Sequence, residues 1–213
     1  MFIIPEIPQL NSSNLEKATA LLSAIEAQQV ACINWPKSFP EKPAVSFRMA
    51  HNGGDELFIR FTVTEETTLA LVKEDNGEVW TDSCVEFFLA LDNSGYYNFE
   101  FTCIGKALLG FRKERPNPTH ATPEIMESIK RFSTLGTANF EEKALNGSWE
   151  LTVAIPTSAL FKHKVEKWKE LTAEANIYKC GDNLSKPHFV SWQAIDTDEP
   201  NFHVPRCFTK VSF

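Results

Sequence analysis

The chain has 213 residues, 43% of them hydrophobic and 23% charged, with a formal net charge of -7. That length suits one sizeable domain. An acidic balance without a Lys/Arg block argues against a nucleic-acid partner, and no apolar run approaches the ~20 residues of a membrane span. Aromatic residues make up 12%, with 17 Phe, which favours a β-rich core over a helical bundle.

In chain order, MFIIPEIPQL has no basic leader region and is interrupted by Pro5, Glu6 and Pro8, so it does not read as a signal peptide. A cytoplasmic chain and a mature secreted or periplasmic fragment both remain open. The segment Asn11 to Gln29 holds the best helix, with Ser13 and Glu16 as a capping box and Leu15, Ala18, Leu22 and Ile25 at helical spacing. Residues 1–27 read as an N-terminal helical extension of a single domain spanning 1–213. After Pro36, Pro40 and Pro43 the period becomes two: AVSFRMA, HNGGDE and LFIRFTVTE read as strand, turn and strand. KEDNGE at 73–78 is an acidic turn without the alternating Asp/Asn ligands of a calcium loop.

The stretch VWTDSCVEFFLALDNSGYYNFEF, residues 79–101, carries the most information. Read as a strand, it places Val79, Thr81, Ser83, Val85, Phe87 and Leu89 on one face. Trp80, Asp82, Cys84, Glu86, Phe88 and Ala90 share the other. The turn DNSG leads to a second strand, and Phe99, Phe101 and Cys103 must share a face with Val85, Phe87 and Leu89, because a one-residue slip would turn one set to solvent. That register sets Phe87 opposite Phe99 and Glu86 opposite Glu100, with a three-residue loop closing at Gly95. Glu86, Asn98 and Glu100 then join Trp80 and Asp82 on one polar, aromatic face. Cys84 and Cys103 fall on opposite faces, which forbids a disulfide between them.

Residues 113–128 hold three prolines and read as a long surface loop with a short helix from Pro123. IKRFSTLG and SWELTVAIP follow as strands. LTAEANIYKCG has helical propensity but alternating Leu171, Ala173, Ala175 and Ile177, and reads as a strand. The tail HFVSWQAIDTDEPNFHVPRCFTKVSF is strand, acidic loop and final strand. Roughly nine or more short strands at this spacing predict an all-β, mainly antiparallel β-sandwich or jelly roll. Five cysteines without a CxxC indicate neither a disulfide framework nor a zinc site, and act as small buried hydrophobes. Histidines lack HxH or HExxH spacing, and no nucleotide-binding or acyl-transfer motif occurs.

Trp80 and Trp192 (in VSWQAI) are the residues that composition alone does not explain. A sugar ring has apolar faces and an equator of hydroxyls, so flat aromatic surface with carboxylate and amide groups at its edge is the complement it needs. VWTDSCVEFFLALD resembles the motif of family 9 carbohydrate-binding modules, in which a Trp stands six residues before a Glu. VSWQAI, NFHVPRCF and the final strand resemble that family's closing segment, and INWP, WELTVAIPTSAL and NIYKC also fit, over about residues 28–213. The resemblance implies an antiparallel β-sandwich that binds a mono- or oligosaccharide, typically the reducing end of a glycan, between two Trp side chains. Such modules usually accompany xylanases and similar glycoside hydrolases, which points to xylan or cellulose-type catabolism. On this chain it implies Trp80 and Trp192 as the stacking pair and Glu86 as hydroxyl acceptor, with Arg112 or Asn98 at the sugar edge; Asp82 joins the candidate site from its place on the same polar, aromatic face. It requires no cofactor but leaves room for a structural calcium.

Two other readings stay open. Asp82 and Glu86 would stand roughly 13 Å apart along a strand, too far for paired carboxylate catalysis. Glu86 and Glu100, directly opposed, could instead form the pair of a retaining glycoside hydrolase. A sandwich whose aromatic face meets a protein partner is the third. His188 and His203 flank the Trp192 segment, either lining a pocket there or serving as hydrogen-bonded structural histidines.

Overall fold

A computed structural model describes residues 1–213. Its first strands are β1 (Phe2–Ile3), β2 (Gln28–Gln29), β3 (Cys32–Ile33), β4 (Ala44–His51), β5 (Glu56–Thr64) and β6 (Thr67–Ala70). The middle of the chain forms β7 (Cys84–Asp92), β8 (Gly95–Thr102), β9 (Ala107–Arg112), β10 (Thr119–His120) and β11 (Lys130–Ser133). The last five are β12 (Phe140–Ala144), β13 (Trp149–Pro156), β14 (Thr172–Cys180), β15 (Phe189–Ser191) and β16 (Thr209–Ser212). Helices α1 (Leu15–Leu22) and α2 (Pro123–Ser128) complete the elements used below.

A nine-stranded sheet runs β1-β16-β14-β7-β8-β9-β10, with β15 on β14 and β3 on β15, and a five-stranded sheet runs β11-β13-β5-β4-β2. The pairings are antiparallel except β1 with β16. The expected β-sandwich is therefore the observed architecture. Alternation builds its core: Val85, Phe87 and Leu89 from β7 and Phe99 and Phe101 from β8 point inward to share one cluster with Phe47, Ile59, Phe61 and Val153 of the other sheet. Burying each such side chain stabilises the fold by about 1.5–3 kcal/mol. One ion pair penetrates this interior. Lys179 is fully buried and pairs with Glu65 at 2.8 Å, while Trp149 Nε1 donates to the same carboxylate at 2.7 Å.

The opposite face of the nine-stranded sheet is also covered, and this positions the site. Cys84 and Phe88 of β7, Tyr96 of β8, Leu108 of β9 and Tyr178 of β14 form a second cluster with Trp35, Ile195, Phe202 and Val204. The long segment after β15 thus folds back over the sheet. It is tied to β3 and its neighbours by Asn34 Oδ1, which accepts from the Ile195 N–H at 2.8 Å, and by Trp35 Nε1, which donates to Thr197 O at 2.7 Å. On the far side of the molecule α1 lays Ala18 and Leu22 on Ala50, Phe58 and Ala154 of the five-stranded sheet.

The register of the central hairpin is the expected one, with Glu86 opposite Glu100 and Phe87 opposite Phe99. Three local expectations are corrected. The helix is capped by Asn14, whose side chain accepts from the Lys17 N–H at 2.9 Å, rather than by Ser13. The hairpin pairs Asp92 with Gly95, so its turn has two residues, and a bulge sets Ala90 and Leu91 against Tyr96. Val79–Thr81 is a 3-10 turn and the strand starts only at Cys84. The 113–128 loop contains the short α2 from Pro123, as read, together with β10.

Candidate functional site

The polar row of β7 and β8 forms the floor of a cavity of about 620 Å³ on the second face of the nine-stranded sheet. That size lies within the range of small-molecule sites. Glu86 and Glu100 line it from adjacent strands, Arg112 from the end of β9, and Trp80 from the 3-10 turn before β7. Phe189, Phe202 and His203 contribute from the chain's closing segment. Tyr178 fixes that segment from beneath, its ring stacked on Phe202 at 4.3 Å and its hydroxyl donating to Phe202 O at 3.1 Å.

Hydrogen bonds organise the floor into a chain. Arg112 Nε donates to Asn98 Oδ1 at 3.0 Å, and Asn98 Nδ2 donates to Glu100 Oε1 at 2.8 Å. Arg112 Nη1 also donates to Arg115 O at 2.6 Å, which links the floor to the 113–128 loop. Glu100 Oε2 is buried and receives no donor from the protein. A buried carboxylate oxygen without a donor is costly, so a ligand hydroxyl or ammonium reaching it would gain a strong, charge-assisted bond. Glu86 accepts from Cys180 Sγ at 3.1 Å.

The electrostatics follow from this crowding. Burial and the facing Glu100 hold the Glu86 carboxyl well above its usual range. Burial pushes Glu100 up to about 7, against the opposing pull of Asn98 and Arg112. Burial drives His203 down to about 3, with Arg112 and Arg115 reinforcing it, so the imidazole is neutral and Tyr96 OH meets its Nδ1 at 3.0 Å. The floor therefore offers acceptors, a guanidinium and a neutral imidazole, with Trp80 at its margin.

The predicted site residues divide. Trp80, Glu86 and Arg112 line the cavity, and Asn98 lies directly beneath it as the bridge between Arg112 and Glu100. Asp82 does not join them. It is buried, and its Oδ2 accepts from the Leu71 and Val72 N–H groups at 2.8 and 2.9 Å, so it pins the preceding loop. Trp192 is also elsewhere. Its ring packs edge-on against Phe2 at 5.2 Å and Phe47 at 5.3 Å in the cluster between the sheets. Trp80 packs on the cluster of the other face, so the sheet separates the two indoles and they cannot clamp one ring. Both histidine alternatives occur: His188 meets Lys179 Nζ at 2.7 Å in the interior, and His203 lines the cavity. Sequence reasoning missed Phe189, Phe202, Arg115, His120 and Asp182 as lining residues. The NFHVP segment holds Phe202 and His203, so part of that signal was within reach.

Residues 73–78 do not fit a calcium ion. Asp75 is neutralised by Arg131 Nη1, which donates to its two oxygens at 2.7 and 2.9 Å, and also accepts from the Ala107 N–H at 2.9 Å. Its carboxylate is committed to holding the turn against β9 and β11.

A two-layer β-sandwich with an aromatic-edged, carboxylate-floored cavity defines a small-ligand binding module. Residues 16–213 match the profile of carbohydrate-binding family 9, and the chain belongs to that family. A protein from Bacteroides uniformis, provisionally described as carbohydrate-binding, is 39% identical and superposes with a TM-score of 0.94, covering 100% of this chain and 98% of its own. A family 9 module from Caldicellulosiruptor kristjanssonii, solved in complex with glucose, superposes with a TM-score of 0.56 at 10% identity over 100% of this chain and 94% of its own. A structure of a family 9 module from the same organism with cellotriose gives 0.59 at 10% identity, covering 99% and 92%. The last two establish likeness of fold alone. No curated protein matches the sequence.

Proposed function

We propose that the chain binds a sugar without turning it over, in the cavity floored by Glu86 and Glu100. Trp80 supplies the flat surface for one ring face, and Glu100 Oε2 and Glu86 accept from ring hydroxyls. Arg112, held by Asn98, donates at the sugar edge. The observation that carries this reading is the buried Glu100 Oε2, which lacks a protein donor at the floor of an aromatic-edged cavity. Family membership and the fold relatives solved with glucose and cellotriose support a hexose or short glucan as the ligand. A xylan or cellulose-type chain, presented by its end, is the natural larger source of such a ligand. One stack and a few hydrogen bonds in competition with water put the affinity at roughly micromolar to millimolar. Calorimetric titration with glucose, xylose and their short oligomers tests the reading. Trp80→Ala is expected to abolish detectable heat while the fold is retained. Normal binding by Trp80→Ala would overturn it.

The direct opposition of Glu86 and Glu100 favours a second reading, a retaining glycoside hydrolase. Release of reducing sugar from aryl glycosides or oligosaccharides, lost in Glu86→Gln, would establish catalysis in place of simple binding.

A further inference from the structure

Beneath the cavity, Cys84 and Cys180 are direct cross-strand partners on β7 and β14, and Glu86 stands two residues along from Cys84 on the same face. The two sulfurs and a Glu86 carboxylate oxygen all lie within 4.8 Å of one another. We infer that these three side chains form a site for a thiophilic divalent cation such as Zn²⁺ or Cd²⁺, entered through the cavity.

Four observations carry this. Two sulfurs each about 2.3 Å from a tetrahedral ion stand roughly 3.8 Å apart, a separation the cluster accommodates. The thiols are drawn to each other and to the carboxyl: Cys84 and Cys180 share a hydrogen bond, Cys180 Sγ reaches Glu86 Oε1 at 3.1 Å, and their remaining contacts are to the backbone oxygens of Val85 at 3.7 Å and Trp80 at 3.5 Å. Glu86 and Cys180 both line the cavity, so an ion has an approach from solvent. Glu100, opposite Glu86 on β8, leaves its buried Oε2 without a protein donor, so the carboxyls around the cluster are not neutralised by the protein's own donors. Two thiolates and one carboxylate match a soft or borderline ion. A calcium ion, which needs six to eight oxygens, has no such shell here.

Binding forms two metal–sulfur bonds and one metal–oxygen bond in place of three of the ion's waters, and the two S–H protons and the Glu86 carboxyl proton leave to solvent, so no redox partner is involved. The site shares Glu86 and the cavity with the proposed sugar site, but it is tested apart from it, because its readout is the metal itself.

The test titrates reduced, chelator-treated full-length protein with Cd²⁺ and follows the ultraviolet sulfur-to-metal charge-transfer band. One equivalent is expected to saturate the band, Zn²⁺ to displace it and Ca²⁺ to leave it unchanged. Cys84→Ser with Cys180→Ser should abolish the band, and Cys32→Ser with Cys207→Ser, which removes the two partly exposed thiols, should retain it. Glu86→Gln keeps both sulfurs and avoids the core substitutions, and is expected to weaken Cd²⁺ by about tenfold or more. No band at one equivalent in the wild-type protein, or a band lost only with Cys32 and Cys207, would overturn the inference. So would full affinity in Glu86→Gln.

Discussion

Asp82 and Trp80 stand two residues apart, and their environments give them opposite tasks. Trp80 is half-buried at the cavity edge, whereas Asp82 is turned under the chain to accept two consecutive backbone N–H groups. Asp82→Ala removes the charged acceptor of two N–H groups in a partly buried turn and is expected to cost about 1–3 kcal/mol of stability with sugar affinity unchanged. Denaturant unfolding and calorimetry on the same variant check both halves, and a selective loss of affinity would return Asp82 to the site. Neither role was legible from VWTDS, because alternation carried backward from β7 assigns Trp80 and Asp82 to one face. The strand begins at Cys84, and nothing in the local pattern marks that boundary. Trp192 was misjudged for a different reason. Its partners are Phe2 and Phe47, and Phe2 lies on β1, which pairs in parallel with β16 at the other end of the chain. Contacts so distant in sequence leave no periodic trace.

The β7–β8–β9 ladder forms the floor of the proposed site, and its register was legible. Two apolar rows had to face one core, and that condition alone sets Glu86 against Glu100. The third strand adds a constraint no pattern revealed. Gly110 pairs with Asn98, and a Cβ there would lie 2.7 Å from Asn98 Oδ1 and 3.3 Å from Arg112 Nη2. A methyl group would displace the amide that connects Arg112 to Glu100. Gly110→Ala is therefore expected to weaken sugar binding by about tenfold, equivalent to roughly 1.4 kcal/mol, while the secondary structure seen by circular dichroism stays the same. An unchanged dissociation constant would show that this bridge does not support the site. Gly95 plays a structural part in the same ladder. It has φ 155°, and a Cβ would strike Arg112 O at 2.6 Å.

At the scale of the whole molecule, the fold buries an ion pair between its sheets, and this sets its response to acid. Burial alone would raise the Glu65 carboxyl, but Lys179 and hydrogen bonds from His188, Lys179 and Trp149 outweigh it and bring Glu65 down to about 2 from an ordinary 4.5. A carboxylate depressed by folding contributes stability that is fully present above its unfolded value and is lost as pH falls toward its folded one. The window is thus about pH 4.5 to 2. Glu65→Gln strands Lys179 and is expected to lower the melting temperature strongly at pH 6, by an amount corresponding to about 3–5 kcal/mol. The gap between wild type and variant should narrow as pH drops through that window. A gap that does not vary with pH would contradict the assignment.

The five tryptophans allow the proposed binding mode to be read in one experiment. Indole N–H resonances followed by two-dimensional NMR during a sugar titration report which ring meets the ligand. The expected result is a large, saturable shift of Trp80, with the buried Trp149 and Trp168 and the inter-sheet Trp192 unmoved. A shift centred on Trp192 with Trp80 silent would contradict a sugar site over Glu86 and Glu100.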